Sequence, residues 1–287
     1  MEAIIFALVS YIGWGVGDIF NVFVARKLGA YSTSFLFTLG MLLISIFYGP
    51  FVLADLKNLT TEILLLNLSL GLLLAIAALC FNKGIQIGNP SLVGTIASSF
   101  AALVVVFSII FLGERVNGNQ LFAIVIIFTG IILASLNFAA LKREKNLINK
   151  GVLFALAAML LWGLYFTFIK IPIREIGWFW PSVISSFSTL VLLSLVRLRG
   201  VRLVKPKENK TLIYLILTII TVKSAELSFN YALSKGLTVV VAPIAGSYAT
   251  LFVVLAFFIF KDPITRQQIL GIITTLIGIV LLSIFSV

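Results

Sequence analysis

The chain has 287 residues, of which 61% are hydrophobic and 11% charged, and its formal net charge is +11. A soluble core cannot hide that much apolar surface, so lipid is the expected solvent, and too little polar chain remains for a soluble domain. The basic residues gather in short connections, which marks membrane topology rather than a nucleic-acid surface, and with no histidine and only Cys80 there is no internal disulfide and no His/Cys cluster for a metal or a nucleophile.

Ten apolar segments long enough to span a bilayer are expected, at 3–25, 32–54, 63–86, 91–112, 119–139, 150–172, 178–198, 211–234, 238–260 and 267–286. Gly29, Pro50, Asn89-Pro90, Asn117-Gly118, Gly177, Pro206 and Pro263 punctuate the breaks. Continuous apolar runs lack the alternation of a membrane β-barrel, so the expected fold class is an all-α integral membrane protein.

The opening "MEAIIF" has no basic n-region, so the first segment is expected to be retained. Within it Tyr11, Trp14, Asp18 and Asn21 are spaced by three, four and three residues and share one helical face. A carboxylate facing lipid costs about 2.5–3.5 kcal/mol, so this face is expected to look into the bundle or a wet cavity. One reading makes Asp18 an ion- or substrate-coupling group. The other makes it half of a buried ion pair with Lys83, Lys170 or Lys223.

The third segment carries Asn82, and Lys83 close to its end. Gly94 and Ser98 on the fourth segment, like Ala242 and Gly246 on the ninth, allow close helix crossing. Ala123 and Gly130 on the fifth, with Gly271 and Gly278 on the tenth, read as packing, with a homodimer through helices 5 and 10 as the second reading. Residues 140–148, "ALKREKNLI", form a basic linker. On the sixth segment Trp162 sits too deep for an interfacial belt, while Lys170 lies where it can snorkel outward.

On the eighth segment Lys223, Glu226 and Asn230 are spaced by three and four. Lys223 and Glu226 can pair on that face, or they can recognise a zwitterion, Lys223 taking a carboxylate and Glu226 an amine or proton. Asn82 and Asn230 read as interhelical hydrogen bonds first and cavity lining second. On the ninth segment Ser247 and Tyr248 are further wall candidates, and Pro243 frees a backbone carbonyl, marking a hinge or a filled kink.

The chain repeats itself. A shift of 148 residues lays Trp14-Gly15 on Trp162-Gly163, Phe20 on Phe168, Arg26 on Arg174, Gly29 on Gly177, and Phe81-Asn82 on Phe229-Asn230. It also lays Glu114 on Asp262, Gln120 on Gln268 and Gly130 on Gly278. Leu, Ile and Val would match by chance; Trp, Arg, Asn and Gln in one register would not. The charges break this symmetry, since Asp18 falls on Phe166, and Lys223 and Glu226 fall on Ala75 and Ala78.

Two five-helix repeats are therefore expected, at 1–139 and 149–287. Five is odd, so the second repeat must enter the membrane inverted. Fourteen Lys and Arg, from Arg26 and Lys27 to Lys261 and Arg266, follow odd-numbered segments; only Lys57, Arg115, Arg174 and Lys235 follow even-numbered ones. The bias places the first group in the cytoplasm and both termini outside. The expected location is the plasma (inner) membrane.

The "GWG" at Trp14 and "LWG" at Trp162, with "FLGERVNGNQLFAIVIIFTGIIL" from Phe111 and its counterpart "FIFKDPITRQQILGIITTLIGIVL" from Phe258, resemble the drug/metabolite transporter superfamily, and within it the EamA-type family. The resemblance covers the whole chain. It implies secondary transport of amino acids, other metabolites or drugs. It also implies a basket of helices 1–4 and 6–9 around a central cavity, with helices 5 and 10 outside. Members commonly place both termini in the cytoplasm, opposite to what the loop charges here give.

"GVGD" at Gly15–Asp18 matches the Gly-x-Gly-Asp of intramembrane aspartyl proteases, but the second Asp with its preceding Tyr and the Pro-Ala-Leu motif are missing. No Walker loop is present, so neither an enzyme nor a nucleotide-driven pump is expected, and a gradient must supply the energy. A channel would want a pore lined by repeated rings; a lipid-linked-substrate flippase is the other competitor. The expected function is a secondary transporter of a small organic metabolite by alternating access, coupled to a proton or cation gradient or running as an exchanger, without cofactor or metal. Its partners are a small-molecule substrate and the bilayer. Asp18, Lys223 and Glu226 are the expected coupling or substrate contacts. Tyr11, Trp14, Asn21, Asn82, Trp162, Asn230 and Tyr248 are the expected cavity wall.

Overall fold

A computed structural model describes residues 1–88, 90–135, 150–261 and 264–286. Asn89, the linker 140–148 with Lys142, Arg143 and Lys145, and the pair Asp262-Pro263 lie outside the described residues. Among the described residues the regular elements are all helical: α1 (Glu2–Tyr48), a 3-10 turn (Gly49–Asn58), α2 (Thr61–Ile87), α3 (Pro90–Ser98), α4 (Phe100–Leu112), α5 (Gly118–Ser135), α6 (Lys150–Phe168), α7 (Lys170–Ile176), α8 (Trp180–Leu198), α9 (Asn209–Lys235), α10 (Thr238–Gly246), α11 (Tyr248–Phe260) and α12 (Arg266–Ile284). Eight helical stretches are long and apolar enough to cross a membrane, the first of them the 57-residue run Glu2–Asn58, and Gly118–Ala134 is a shorter apolar helix. Exposed side chains such as Ile5, Ile12, Leu65, Ile110, Leu195 and Ile277 form the surface such helices present to lipid. The chain is a multi-pass membrane protein.

The matched residues of the two halves do the same local work. Gly29 interrupts α1 with φ 78° and ψ 164°, and Gly177, its mate, has φ 72° and ψ 176° between α7 and α8. A side chain there would be strained, which is why both positions are glycine. The same symmetry shows at the end of α4, where Gly113 caps the helix with φ 65°; its mate Lys261 ends α11 with φ 60°. A non-glycine residue in that left-handed conformation costs about 1 kcal/mol. Replacing Lys261 by Gly should therefore raise stability by about 0.5–1 kcal/mol in a denaturation measurement; lower stability would show that the lysine makes a compensating contact.

Gln120 and Gln268 match because each closes a capping box. The Asn117 amide donates to Gln120 Oε1 at 3.1 Å and the Gln120 amide returns to Asn117 Oδ1 at 2.8 Å. Thr265 and Gln268 repeat this at the start of α12, at 2.9 and 3.2 Å.

The expected ninth segment is broken at Ser247 into α10 and α11, and the fourth is broken at its mate Ser99 into α3 and α4. In both, the serine hydroxyl donates four residues back, to Thr95 O at 3.0 Å and to Pro243 O at 2.6 Å. The break therefore does not come from Pro243, since the half without a proline has it too. The expected second helix ends earlier than residue 54, because Pro50 opens the 3-10 turn.

The principal helix pairs cross between the halves: α1 packs on α9, α2 on α6 and α8, α4 on α10, and α5 on α12. The small residues of the last pair are engaged inside the chain. A Cβ on Gly130 would lie 2.4 Å from Thr275 N, one on Gly271 2.1 Å from Ala134 N, and one on Gly278 2.9 Å from Ile127 N. The glycine faces meet within one molecule, so a homodimer through these two helices would use the outward faces of α5 and α12.

Candidate functional site

Aromatic rings fill the middle of the bundle. Trp14 on α1 lies 5.4 Å from Phe166, 5.3 Å from Phe229, 5.8 Å from Tyr248 and 6.3 Å from Phe100, centroid to centroid. Trp162 on α6 lies 4.9 Å from Phe81 and 6.0 Å from Phe100. Beside these rings opens a cavity of about 130 Å³. Its wall takes residues from α1, α2, α4, α6, α8, α9 and α11, including both arms of α1 on either side of Gly29, and none from α5 or α12. The implied basket, with its two outer helices, has the same arrangement.

Asp18, Trp14, Asn21, Asn82, Glu226, Trp162 and Tyr248 all line this cavity. Seven pairs of wall residues stand 148 positions apart: Trp14/Trp162, Asp18/Phe166, Thr38/Ser186, Met41/Thr189, Leu74/Val222, Ala78/Glu226 and Phe100/Tyr248. The wall is thus symmetric in position and asymmetric in chemistry.

Asp18 is half-buried, with the Tyr248 hydroxyl as its polar neighbour. Both residues also border a second space of about 10 Å³ between α2, α3 and α11, room for about one water. Among the described residues Asp18 has no cationic partner. Lys83 donates to Gln86 Oε1 at 3.1 Å, Lys223 pairs with Glu226, and Lys170 donates to the carbonyls of Leu233 and Gly236. The ion-pair reading of Asp18 is corrected accordingly. So is snorkelling by Lys170, which is buried and holds the carbonyl end of α9.

Across the same α9–α10 connection Glu114, also buried, accepts from Thr238 N at 3.0 Å and Val239 N at 2.9 Å. A cation at the end of one helix and an anion at the start of the next each match the helix dipole they meet. Glu114→Gln keeps the shape but removes one acceptor oxygen and the charge. It should destabilise the fold by about 1–2 kcal/mol, read from thermal unfolding of the purified protein; an unchanged transition would remove the capping role.

Lys223, expected as a substrate contact, does not reach the wall. It is among the most buried side chains, donates to Ser182 Oγ, and lies 3.3 Å from Glu226 Oε2. Glu226 does reach the wall and accepts from the Tyr165 hydroxyl at 3.4 Å. Tyr11 is set off the wall, its hydroxyl 3.1 Å from Thr250 Oγ1. Asn230 is also off it, fully buried with neither side-chain polar atom hydrogen-bonded, although its mate Asn82 donates to Ser34 Oγ at 2.9 Å and accepts from Asn21 Nδ2 at 3.1 Å. The partner that symmetry would give Asn230 is Ser182, and Ser182 already receives Lys223.

Thr38, Met41, Ser186, Thr189 and Thr218 are wall residues the sequence reading did not select. The signal available for Ser186 and Thr189 was the run of hydroxyls on α8 from Ser182 to Thr189, and for Thr38 its match to Ser186; Met41 and Thr218 carried none. Among the described residues no three His, Cys, Asp or Glu side chains converge as a metal site requires.

The sequence profile of the EamA-like transporter family matches residues 1–136 and again 149–284. An uncharacterised protein of Methanocaldococcus jannaschii is 32% identical over 94 residues, which is 33% of this chain and 69% of that protein. A solved crystal structure superposes with a TM-score of 0.77 at 14% identity, covering 99% of this chain and 97% of that one, a likeness of fold alone.

Proposed function

Because the chain belongs to the EamA-like transporter family, we propose that it is a secondary transporter carrying a small organic solute by alternating access around the central cavity. The observation that carries this reading is the cavity itself: it lies between the two halves and presents Asp18, a membrane-embedded carboxylate with no cationic partner among the described residues. Intramembrane ionisable groups facing a cavity mark substrate and ion pathways. In this reading Asp18 couples transport to a proton or cation gradient, or to exchange. With no histidine in the chain, any proton relay uses carboxylates and tyrosines such as Tyr248.

The same reading has ten membrane passes. The break at Gly29 divides the 57-residue stretch into two, and Gly118–Ala134 adds the remaining pass to the eight long ones. Five passes in each half then make the repeats inverted, and the loop charges put the odd connections in the cytoplasm and both termini outside. One half rocks against the other, with the α1–α9 and α2–α6 contacts as the surfaces that shift.

Metabolite profiling tests the proposal. Cells expressing the protein are compared with matched cells that do not, in medium and cytosol. A few small solutes should redistribute across the membrane. If a broad small-solute panel stays unchanged while lipid-linked sugars change leaflet, the carrier reading fails in favour of a flippase.

A further inference from the structure

The wall of the cavity has an unbalanced charge. Among the described residues its carboxylates are Asp18 and Glu226, and no Lys or Arg lines it. Glu226 is compensated from behind by Lys223 at 3.3 Å. Asp18 is not compensated by any described residue. A solute bearing a carboxylate would bring a second acidic group towards Asp18 without relief, and a neutral solute would leave Asp18 without a counter-charge.

The wall around Asp18 is aromatic. Trp14, one helical turn away, meets Tyr248 at 68°, Phe166 at 61° and Phe100 at 78°. Phe100 and Phe166 stack on each other at 26°, so the cluster mixes edge-on and stacked pairs; Trp14, Phe100, Phe166 and Tyr248 all line the cavity, and an aromatic wall beside a carboxylate suits a cation better than an anion. Asn21, three residues after Asp18, gives its amide nitrogen to Asn82, which leaves its carbonyl oxygen as a further acceptor beside the carboxylate.

Resting on the transporter reading above, we propose that the solute is an organic cation, an amine or quaternary ammonium bearing an apolar or aromatic group. Its charge sits on Asp18 beside the Trp14 and Tyr248 rings, and it needs no carboxylate of its own. Lys223, buried behind Glu226 and held by Ser182, is not available to recognise one.

The test uses the full-length protein, purified and reconstituted, with four probes sharing one phenyl ring: benzyltrimethylammonium, 2-phenylethylamine, phenylalanine and 3-phenylpropionate. Calorimetric titration should show the two cations binding, the zwitterion more weakly and the anion least. Asp18→Asn should weaken the cations about tenfold or more, and Asp18→Glu, which keeps the charge, should restore most of it. Size-exclusion profiles identify any variant that fails to fold, and the Glu variant then carries the comparison. Equal binding of 3-phenylpropionate, cations bound equally by Asp18→Asn, or no cation binding to the wild type would each overturn the proposal. Counterflow in the same liposomes separates the two readings. Other solutes crossing without cation binding would sink the substrate class and leave a carrier. Cations that bind but never cross would sink the carrier and leave the site.

Discussion

Asp18→Asn should reduce solute transport by about a hundredfold while leaving the amount of folded protein unchanged. The two side chains have the same shape, and the Asn carbonyl oxygen can still meet the Tyr248 hydroxyl, so packing around Trp14 survives. What is lost is the ionisable carboxylate of the cavity wall. A unit charge about 4 Å away is worth about 4 kcal/mol at an effective dielectric near 20, and allowing for residual water and the dipole of Asn leaves on the order of 2–3 kcal/mol, or about a hundredfold. Initial rates in proteoliposomes, normalised to protein recovered after solubilisation, give the number. Rates within twofold of the wild type would make Asp18 a bystander on the wall.

Lys223→Met should cause the largest loss of stability, about 3–5 kcal/mol, because it strips the partner from Glu226 inside the bundle and leaves Ser182 without its donor. For a chain of this size that is a fall in Tm of about 6–15 °C by intrinsic fluorescence. The double variant Lys223→Met/Glu226→Gln should recover most of it, since a buried ion pair replaced on both sides is near neutral. Recovery in the double variant distinguishes an ion-pair role from loss of lysine packing. If the double variant is as unstable as the single one, the lysine acts through its stem and not through its charge.

Much of the architecture could be read from residue identities, because the symmetric residues are the scaffold. Gly29 and Gly177 recur because the backbone there admits only glycine, and Gln120 and Gln268 recur because each closes a helix start. Asp18 could be placed in a cavity from cost alone, since lipid would not accept it. Other features needed the packed structure. Lys223 and Glu226 are three residues apart, yet one lines the cavity and the other lies behind it, and helix periodicity cannot resolve that rotation. Thr38, Thr189 and Thr218 look unremarkable in apolar helices because a hydroxyl there can equally bond its own helix, as Thr218 does to Tyr214 O at 2.8 Å. Pro243 drew attention to a kink that Ser99 and Ser247 explain better.

The central claim is that the cavity wall faces each side of the membrane in turn. Cys80 is the only cysteine, so replacing it with Ala gives a background without thiols. In that background Ser186→Cys places one reporter on the wall, on α8 away from the carboxylates. A membrane-impermeant thiol reagent is then applied separately to right-side-out and inside-out vesicles. The account predicts labelling from both sides, slowed from each by a transported solute. Labelling from one side only, unaffected by any solute, would contradict it.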